Sequence, residues 1–210
     1  SVIHNAIDER FLGPTDTKRM DLVRQRYQLD HPFVLYVGNI KPHKNVERLI
    51  DAFGRALDTG SDDLKLIIIG DELSKYPALR HAVHRHRLDK RVRFLGFQPY
   101  ETLTAFYRLA RVFAFPSLYE GFGLPPLEAM ACGTPVVTSN VSSLPEVAGG
   151  AALLVDPYDT DAIADGIRRA VNDESLRKDL IARGLARAHE FSWAQSVAKI
   201  HNIYMEVLGQ

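Results

Sequence analysis

Short apolar runs alternate with longer amphipathic segments between about residue 33 and residue 155 of this chain. Six runs have the length and the β-branched content of strands: 33–37, 64–69, 92–95, 112–115, 135–138 and 152–155. Nearly all of them are continuously apolar, which is typical of strands buried on both faces of a sheet. The pattern predicts an α/β fold with a doubly wound, mostly parallel, Rossmann-like sheet.

Apolar positions at helical spacing mark the segments between and after these runs. Five helices are predicted: 45–57, 99–109, 161–172, 175–189 and 193–208. Ser192 is the expected N-cap of the last helix. The chain shows no internal repeat or low-complexity linker, so we expect one domain over 1–210, with its ligand crevice at the carboxyl ends of the strands.

Composition narrows the classes of partner. Lys plus Arg and Asp plus Glu number 26 each among 210 residues, so no overall field attracts nucleic acid. The single cysteine, Cys132, excludes an internal disulfide and is expected to pack in the core, and no apolar run reaches the roughly 20 residues that span a bilayer. A cytoplasmic setting is therefore expected. The first residues lack a signal sequence and are interpreted as the interior of a longer protein.

The segment after the first strand carries a candidate anion site. Gly38 allows close approach of a ligand to the backbone, Asn39 follows it, and Lys44 stands at the mouth of the next helix. Free amides and the helix dipole at that end favour a phosphate, to which Lys44 adds a positive charge. The alternative is that Lys41 and Lys44 are solvated and that Asn45 only caps the helix.

The segment after the fourth strand, 117–131, is richest in candidate chemistry. Gly121 and Gly123 permit backbone conformations that expose amides, and two prolines preset the first helical turn that follows. Glu120 before this turn and Glu128 within the helix are placed to accept hydrogen bonds from sugar hydroxyls on either side of a diphosphate. Alternatively, Glu128 only favours the helix dipole and Glu120 is an exposed turn residue.

Two other strand ends give weaker signals. Gly96 allows close approach, so the backbone of Phe97 and Gln98 is a candidate for contact with a nucleobase, although an ordinary turn explains the segment equally well. Ser143 and Glu146 have the spacing of a helix capping box, so Glu146 is interpreted as structural.

Metal binding has two candidate motifs, and neither is favoured. Asp159 and Asp161 have an Asp-x-Asp spacing, but they stand where an N-cap and a first helical turn are expected. His81, His84 and His86 share a helix with several arginines, whose positive charge disfavours a divalent ion. No metal site is therefore predicted.

At Glu120 and Glu128, separated by seven residues, the sequence resembles glycosyltransferase family 4. The likeness extends over essentially the whole chain, from Val2-Ile3-His4-Asn5 to Phe191-Ser192-Trp193. It implies the C-terminal, donor-binding half of a retaining GT-B enzyme that uses no metal or cofactor. By that resemblance Glu128 binds the ribose, Glu120 the donor sugar, and Lys44 the diphosphate.

The resemblance implies a donor site that shares residues from three strand ends. Its members are Gly38, Asn39, Lys44, Phe97, Glu120, Gly121, Phe122, Gly123, Leu124 and Glu128, of which Lys44 and Glu120 are the expected catalytic residues. Asn39 stands where much of the family has an arginine, and Lys41 is the candidate to compensate. Ser142-Ser143 replaces the family's usual small glycine pair.

Residues 36–45, Tyr-Val-Gly-Asn-Ile-Lys-Pro-His-Lys-Asn, together with residues 142–147, Ser-Ser-Leu-Pro-Glu-Val, are similar to the corresponding segments of bacterial mannosyltransferases of surface-polysaccharide assembly. GDP-mannose is therefore the favoured donor, with a UDP-sugar as the alternative, and a glycan or lipid-linked molecule is the expected acceptor. Residues 1–30 are expected to link to a missing N-terminal acceptor-binding domain, against which 192–208 would pack and through which peripheral membrane association is allowed. The rival functions are a non-catalytic sugar-nucleotide-binding module and half of a GT-B sugar-nucleotide epimerase.

Overall fold

The computed structural model describes residues 2–57, 63–70 and 76–209. In these ranges six strands form one parallel sheet in the order β3-β2-β1-β4-β5-β6. The strands are β1 (Phe33–Val37), β2 (Lys65–Ile69), β3 (Val92–Leu95), β4 (Val112–Phe115), β5 (Val136–Ser139) and β6 (Leu153–Val155). Three strands have the predicted bounds and the others differ by one residue, so the doubly wound fold predicted from the sequence is confirmed.

Helices surround this sheet in the described part of the chain. They are α1 (Glu9–Leu12), α2 (Thr17–Tyr27), α3 (Val46–Leu57), α4 (Pro77–Arg85), α5 (Tyr100–Leu109), α6 (Leu124–Ala131), α7 (Leu144–Ala148), α8 (Thr160–Asn172), α9 (Glu174–His189) and α10 (Trp193–Leu208). The five helices predicted from periodicity begin within one residue of their expected positions. Ser192 caps α10 as predicted, because its Oγ accepts from the amide of Gln195 at 3.3 Å.

The first thirty residues contain two helices that the sequence pattern did not indicate. Asp8 and Asp16 cap α1 and α2 through their side chains. Phe11 is fully buried and Val23 is 6% exposed, so both helices add apolar side chains to the core. This segment therefore packs as part of the domain.

The helices form two layers with the sheet between them. α3 packs with α4 and α8, whereas α5 packs with α2 and α6, and α6 with α9. Phe33, Leu35, Phe53, Phe106 and Phe113 are among the fully or almost fully buried side chains at the centre. This layering follows from right-handed crossovers between parallel strands.

The strand order places the site at one edge. β1 and β4 are neighbours, and the chain winds in opposite directions from them, so their carboxyl ends flank the point at which doubly wound folds bind ligands. The loops that leave these two strands, residues 38–45 and 116–123, are the segments that the sequence analysis singled out.

The last helix extends away from this core. Ser196 is its one buried residue, whereas Trp193, Val197, Tyr204 and Val207 are between 54% and 80% exposed. The expectation that this helix packs against an upstream domain stays a prediction. Within the described ranges, no helix combines the length and the apolar character needed to cross a membrane.

Candidate functional site

The loop after β1 is held by side chains that point back into the domain. A 3-10 turn, Pro42–Lys44, precedes α3, and Asn45 adopts a left-handed conformation with φ of 59°. The Asn45 amide Nδ2 donates to the carbonyls of Pro116 and Pro157, at 3.0 and 2.8 Å. Asn45 therefore joins three loops, instead of only capping α3.

Lys44 and Glu120 form a close ion pair between the loops of β1 and β4. Lys44 Nζ lies 2.6 Å from Glu120 Oε1 and 2.8 Å from Oε2. The two side chains are only 14% and 12% exposed. The amide of Leu118 also donates to the carbonyl of His43 at 2.7 Å. The alternative interpretations of Lys44 as a solvated charge and of Glu120 as an exposed turn residue are therefore wrong.

The glycine-rich turn after Glu120 presents unpaired amides. Within the described ranges, the main-chain amides of Gly121, Phe122 and Gly123 donate to no protein acceptor. Gly123 has φ of +122°, and a Cβ at that position would lie 2.9 Å from Leu144 Cδ2. Gly121 does not have a positive φ and a Cβ there would meet nothing, so only Gly123 requires glycine for its conformation.

Ser142 and Ser143 hold this turn in place. Ser142 Oγ accepts from the amide of Glu120 at 3.0 Å and donates to its carbonyl at 2.6 Å. Ser143 Oγ lies 2.5 Å from the carbonyl of Phe122 and 3.0 Å from that of Glu120. Ser143 makes no side-chain cap to α7, so the predicted capping box is wrong. The reason is that the turn carbonyls compete successfully for its hydroxyl.

Glu146, the other residue of that predicted capping box, contacts the N-terminal segment instead. Its Oε1 lies 2.8 Å from His4 Nε2, and its side chain is 67% exposed. The His4 ring in turn packs near Phe122, with ring centroids 6.1 Å apart. Glu146 is therefore structural, as the sequence indicated, but through a different contact.

Glu128 lies on the second turn of α6 in a largely buried position. Tyr107, a fully buried residue of α5, donates its hydroxyl to Glu128 Oε2 at 2.7 Å. Burial raises the pKa of Glu128, and the hydrogen bond from Tyr107 opposes that rise. Burial and the nearby carboxylate raise the pKa of Tyr107 well above its ordinary value, so its proton stays on the hydroxyl.

A cleft of about 280 Å³ opens at the carboxyl ends of β1, β2 and β3. Its lining residues are Val37, Gly38, Asn39, Ile69, Gly70, Phe97, Gln98 and Leu103. Phe97 is 84% exposed beside it. Phe115 connects the cleft with the ion pair, because a Cβ on Gly38 would lie 3.7 Å from its ring and Lys44 Nζ lies 5.3 Å from its centroid.

The structure thus gathers the predicted site residues into neighbouring groups. Gly38, Asn39 and Phe97 line the cleft, Lys44 contacts Glu120, and the turn from Gly121 to Leu124 leads into α6, which carries Glu128. Lys41 is exposed and is not a member of the ion pair.

Sequence reasoning missed Tyr107, Asn45, Ser142 and Ser143 as supports of this site. Tyr107 has the spacing of a core residue on an amphipathic helix, and its only polar signal is a hydroxyl in an otherwise apolar face. The serines were considered only for sugar contact and for helix capping.

The residues considered for metal binding have other partners. Asp159 Oδ1 accepts from the amides of Asp161 and Ala162, as an N-cap does, and Asp161 lies 2.6 Å from Arg55. Across the described ranges, no cluster of three or more His, Cys, Asp or Glu side chains could hold a metal. That the site works without a metal stays a prediction.

The other two candidate groups also have structural partners. His84 is exposed and pairs with Asp89 at 2.7 Å, which agrees with a solvated helical face. His86 lies just after α4, is half-buried and pairs with Asp51 of α3 at 2.9 Å, so the prediction of a solvated face is wrong for this residue. Cys132 is buried, and burial raises its thiol pKa to about 12, so it is inert core packing, as expected.

Comparison with known proteins connects this geometry to a family. The family described as glycosyl transferases group 1 matches residues 21–187. The chain is 43% identical over 183 residues to the Escherichia coli O-antigen chain mannosyltransferase B, covering 87% of this chain and 48% of the relative. It is 32% identical to the D-inositol 3-phosphate glycosyltransferase of Corynebacterium glutamicum, covering all of this chain and 52% of the relative.

Solved structures give the same result for the fold. Sucrose-phosphate synthase from Thermosynechococcus elongatus superposes with a TM-score of 0.84 at 29% identity, covering all of this chain and 53% of that chain. The Anabaena protein HepE, solved with UDP and glucose, superposes with a TM-score of 0.86 at 23% identity, covering 98% of this chain and 57% of that one. The chain spans about half the length of these four proteins. With the family matched over most of its length, the chain belongs to the group 1 glycosyltransferases.

Proposed function

We propose that this chain is the donor-binding domain of a retaining glycosyltransferase, and that it binds a nucleoside diphosphate hexose at the carboxyl ends of β1 and β4. The observation that carries the proposal is the Lys44–Glu120 pair beside the unpaired amides of Gly121, Phe122 and Gly123. A cation, three amides and a carboxylate match a diphosphate joined to a sugar, because amides and ammonium groups bind phosphate whereas carboxylates bind hydroxyls.

Donor binding would rearrange the ion pair. Before binding, the Lys44 ammonium is neutralised by Glu120. An incoming diphosphate competes for the ammonium, which frees the Glu120 carboxylate to accept hydrogen bonds from the sugar hydroxyls. One exchange therefore prepares the phosphate contact and the sugar contact together.

The same groups suit the chemistry of transfer. As the bond between sugar and phosphate breaks, positive charge grows on the sugar ring and negative charge on the departing diphosphate. Lys44 and the turn amides stabilise the departing anion, so the proposal includes no metal or cofactor. An acceptor-binding domain would hold the acceptor hydroxyl on the same face of the sugar, which retains the anomeric configuration.

The nucleoside would occupy the cleft lined by Gly38, Asn39 and Phe97. In this arrangement the Glu128 carboxylate accepts from the ribose diol, and the exposed Phe97 ring lies beside the base. GDP-mannose is the favoured donor because the Escherichia coli relative is a mannosyltransferase. A UDP-hexose is the alternative, and the acceptor is a glycan or a lipid-linked molecule.

Calorimetric titration with GDP, UDP, GDP-mannose and UDP-glucose tests the proposal. The expected result is saturable binding of one diphosphate and its sugar conjugate. Lys44→Ala should weaken binding of that diphosphate by about tenfold to a hundredfold, the effect of losing a hydrogen-bonded charge. Lys178→Ala, on the exposed face of α9, is the matched control and should leave affinity unchanged.

The Glu120→Gln variant tests whether the diphosphate displaces Glu120 from Lys44 or whether this ion pair only supports the two loops. If the pair exchanges on binding, this variant should bind the free diphosphate more tightly than the wild type and the intact donor less tightly. Equal weakening of both ligands would show that the pair only supports the loops. Absence of binding by all four ligands would overturn the proposed function.

A further inference from the structure

Tyr107 carries a buried hydroxyl group that neither core packing nor the proposed donor contacts explain. It stands on α5, and its ring is fixed by Phe11 and Phe113, whose centroids lie 5.8 and 5.4 Å away. Its own carbonyl accepts from Thr134 Oγ1 at 2.5 Å. A phenylalanine would fill the same space, so the hydroxyl has a purpose other than packing.

The Tyr107 hydroxyl gives the two carboxylate oxygens of Glu128 different surroundings. Oε2 accepts from Tyr107 at 2.7 Å. Oε1 accepts no hydrogen bond from any described residue, and it is not among the buried polar atoms without a partner, so it retains access to solvent. One oxygen is therefore fixed inside the domain while the other is available to a ligand.

We propose that Tyr107 is a positioning residue, which orients Glu128 so that Oε1 can accept a hydrogen bond from the nucleotide ribose. This inference rests on the proposed function, because it assigns a partner to the ribose-binding carboxylate. Tyr107 touches no ligand itself and acts only through Glu128.

The electrostatics of the surroundings agree with this role. Burial raises the pKa of Glu128, and donation by Tyr107 is the contact that opposes the rise. Asp8, before α1, also raises this pKa, and Cys132, directly after α6, interacts with Glu128. The hydrogen bond from Arg10 lowers the pKa of Asp8 to about 2, and that of the Cys132 thiol is about 12. Neither group titrates near neutral pH.

The dependence of nucleotide affinity on pH provides the test. Binding of UDP and GDP is measured by calorimetry at a series of pH values for the wild type and for Tyr107→Phe. Because the diol needs an ionised acceptor, affinity should fall as the pH drops through the pKa of Glu128. In Tyr107→Phe that fall should begin at higher pH, so the variant should bind more weakly than the wild type across the transition.

The same comparison in a Glu128→Gln background isolates the carboxylate. There, Tyr107→Phe should no longer move the pH profile. Proton uptake by the diphosphate is common to both proteins. Thermal denaturation confirms that the variants fold. One result would overturn only the role of Tyr107. In that result Glu128→Gln weakens nucleotide binding, but Tyr107→Phe, with Glu128 intact, has the same pH profile as the wild type. Full affinity in Glu128→Gln would instead refute the ribose contact on which it rests.

Discussion

Among individual residues, Glu128 has a carboxyl group whose ionised form is costly to the fold, because burial raises its pKa. Its carboxylate is largely buried on α6 and has one partner among the described side chains, the Tyr107 hydroxyl. A buried carboxylate is stable only when several donors satisfy it, and this one keeps an oxygen free. Under the proposed function, the arrangement would favour ligand binding over stability, as is common in functional sites.

The raised pKa of Glu128 predicts how this cost depends on pH. Burial makes the folded chain bind the proton more tightly than the unfolded chain, so stability falls as the pH rises from the unfolded to the folded pKa. Glu128→Gln keeps an acceptor for Tyr107 and removes the buried charge, so it should raise the thermal midpoint at neutral pH. The gain should vanish in acid, where Glu128 itself is protonated.

Glu206→Gln is the matched control for this effect, because Glu206 is exposed on α10. Scanning calorimetry of both variants at neutral and acidic pH gives the comparison. A Glu128→Gln protein that is less stable than the wild type at neutral pH would contradict the prediction. It would mean that the ionised carboxylate stabilises the fold.

At the scale of elements, the turn between β4 and α6 depends on neighbours from elsewhere in the chain. Ser142, itself at φ of 61°, holds both main-chain groups of Glu120, and Leu144 closes the space above Gly123. The turn is therefore shaped by the segment that follows β5 as much as by its own glycines.

The two glycines of this turn should respond differently to the same substitution. Gly123→Ala places a Cβ 2.9 Å from Leu144 in an unfavourable φ, and should destabilise the fold by about 1–3 kcal/mol. Gly121→Ala meets no protein atom and is the matched control, with little change in the thermal midpoint expected. Equal stability of the two variants would show that the turn relaxes readily.

At the scale of the whole molecule, the central strands organise the site and the last helix lies outside it. Exposed apolar residues recur along α10 at Trp193, Val197, Tyr204 and Val207, with spacings of four, seven and three residues. That spacing is typical of a helix that packs against another element along one stripe.

If these exposed apolar residues of α10 pack against an upstream domain, substituting them should affect stability differently in shorter and longer polypeptides. In the 210-residue chain, Tyr204→Ser combined with Val207→Ser should change stability by no more than about 0.5 kcal/mol, because both side chains are exposed. In a longer polypeptide that supplies the predicted upstream domain, the same pair should lower the thermal midpoint. An unchanged midpoint there would exclude packing of α10 on that domain.

The sequence predicted the strands well because nearly all of them are continuously apolar. It placed Lys44, Glu120 and Phe97 at strand ends, and parallel strands end at one edge. The support of the site was not predictable in the same way. Tyr107 and Glu128 are 21 residues apart and Ser142 and Glu120 are 22, and each contact depends on how separate elements pack. The helix α2 was missed because Val23 is its only buried residue, so its apolar periodicity is weak.

The charge balance of the Lys44–Glu120 pair has a consequence for the speed of ligand capture. The chain carries no net formal charge, and the cation beside the turn is matched by a carboxylate 2.6 Å away. A dianionic donor far from the protein therefore experiences little attraction, so long-range electrostatic steering should add little to its association rate. The association rate constant of the donor should then change little with salt concentration. High affinity would have to come from slow dissociation.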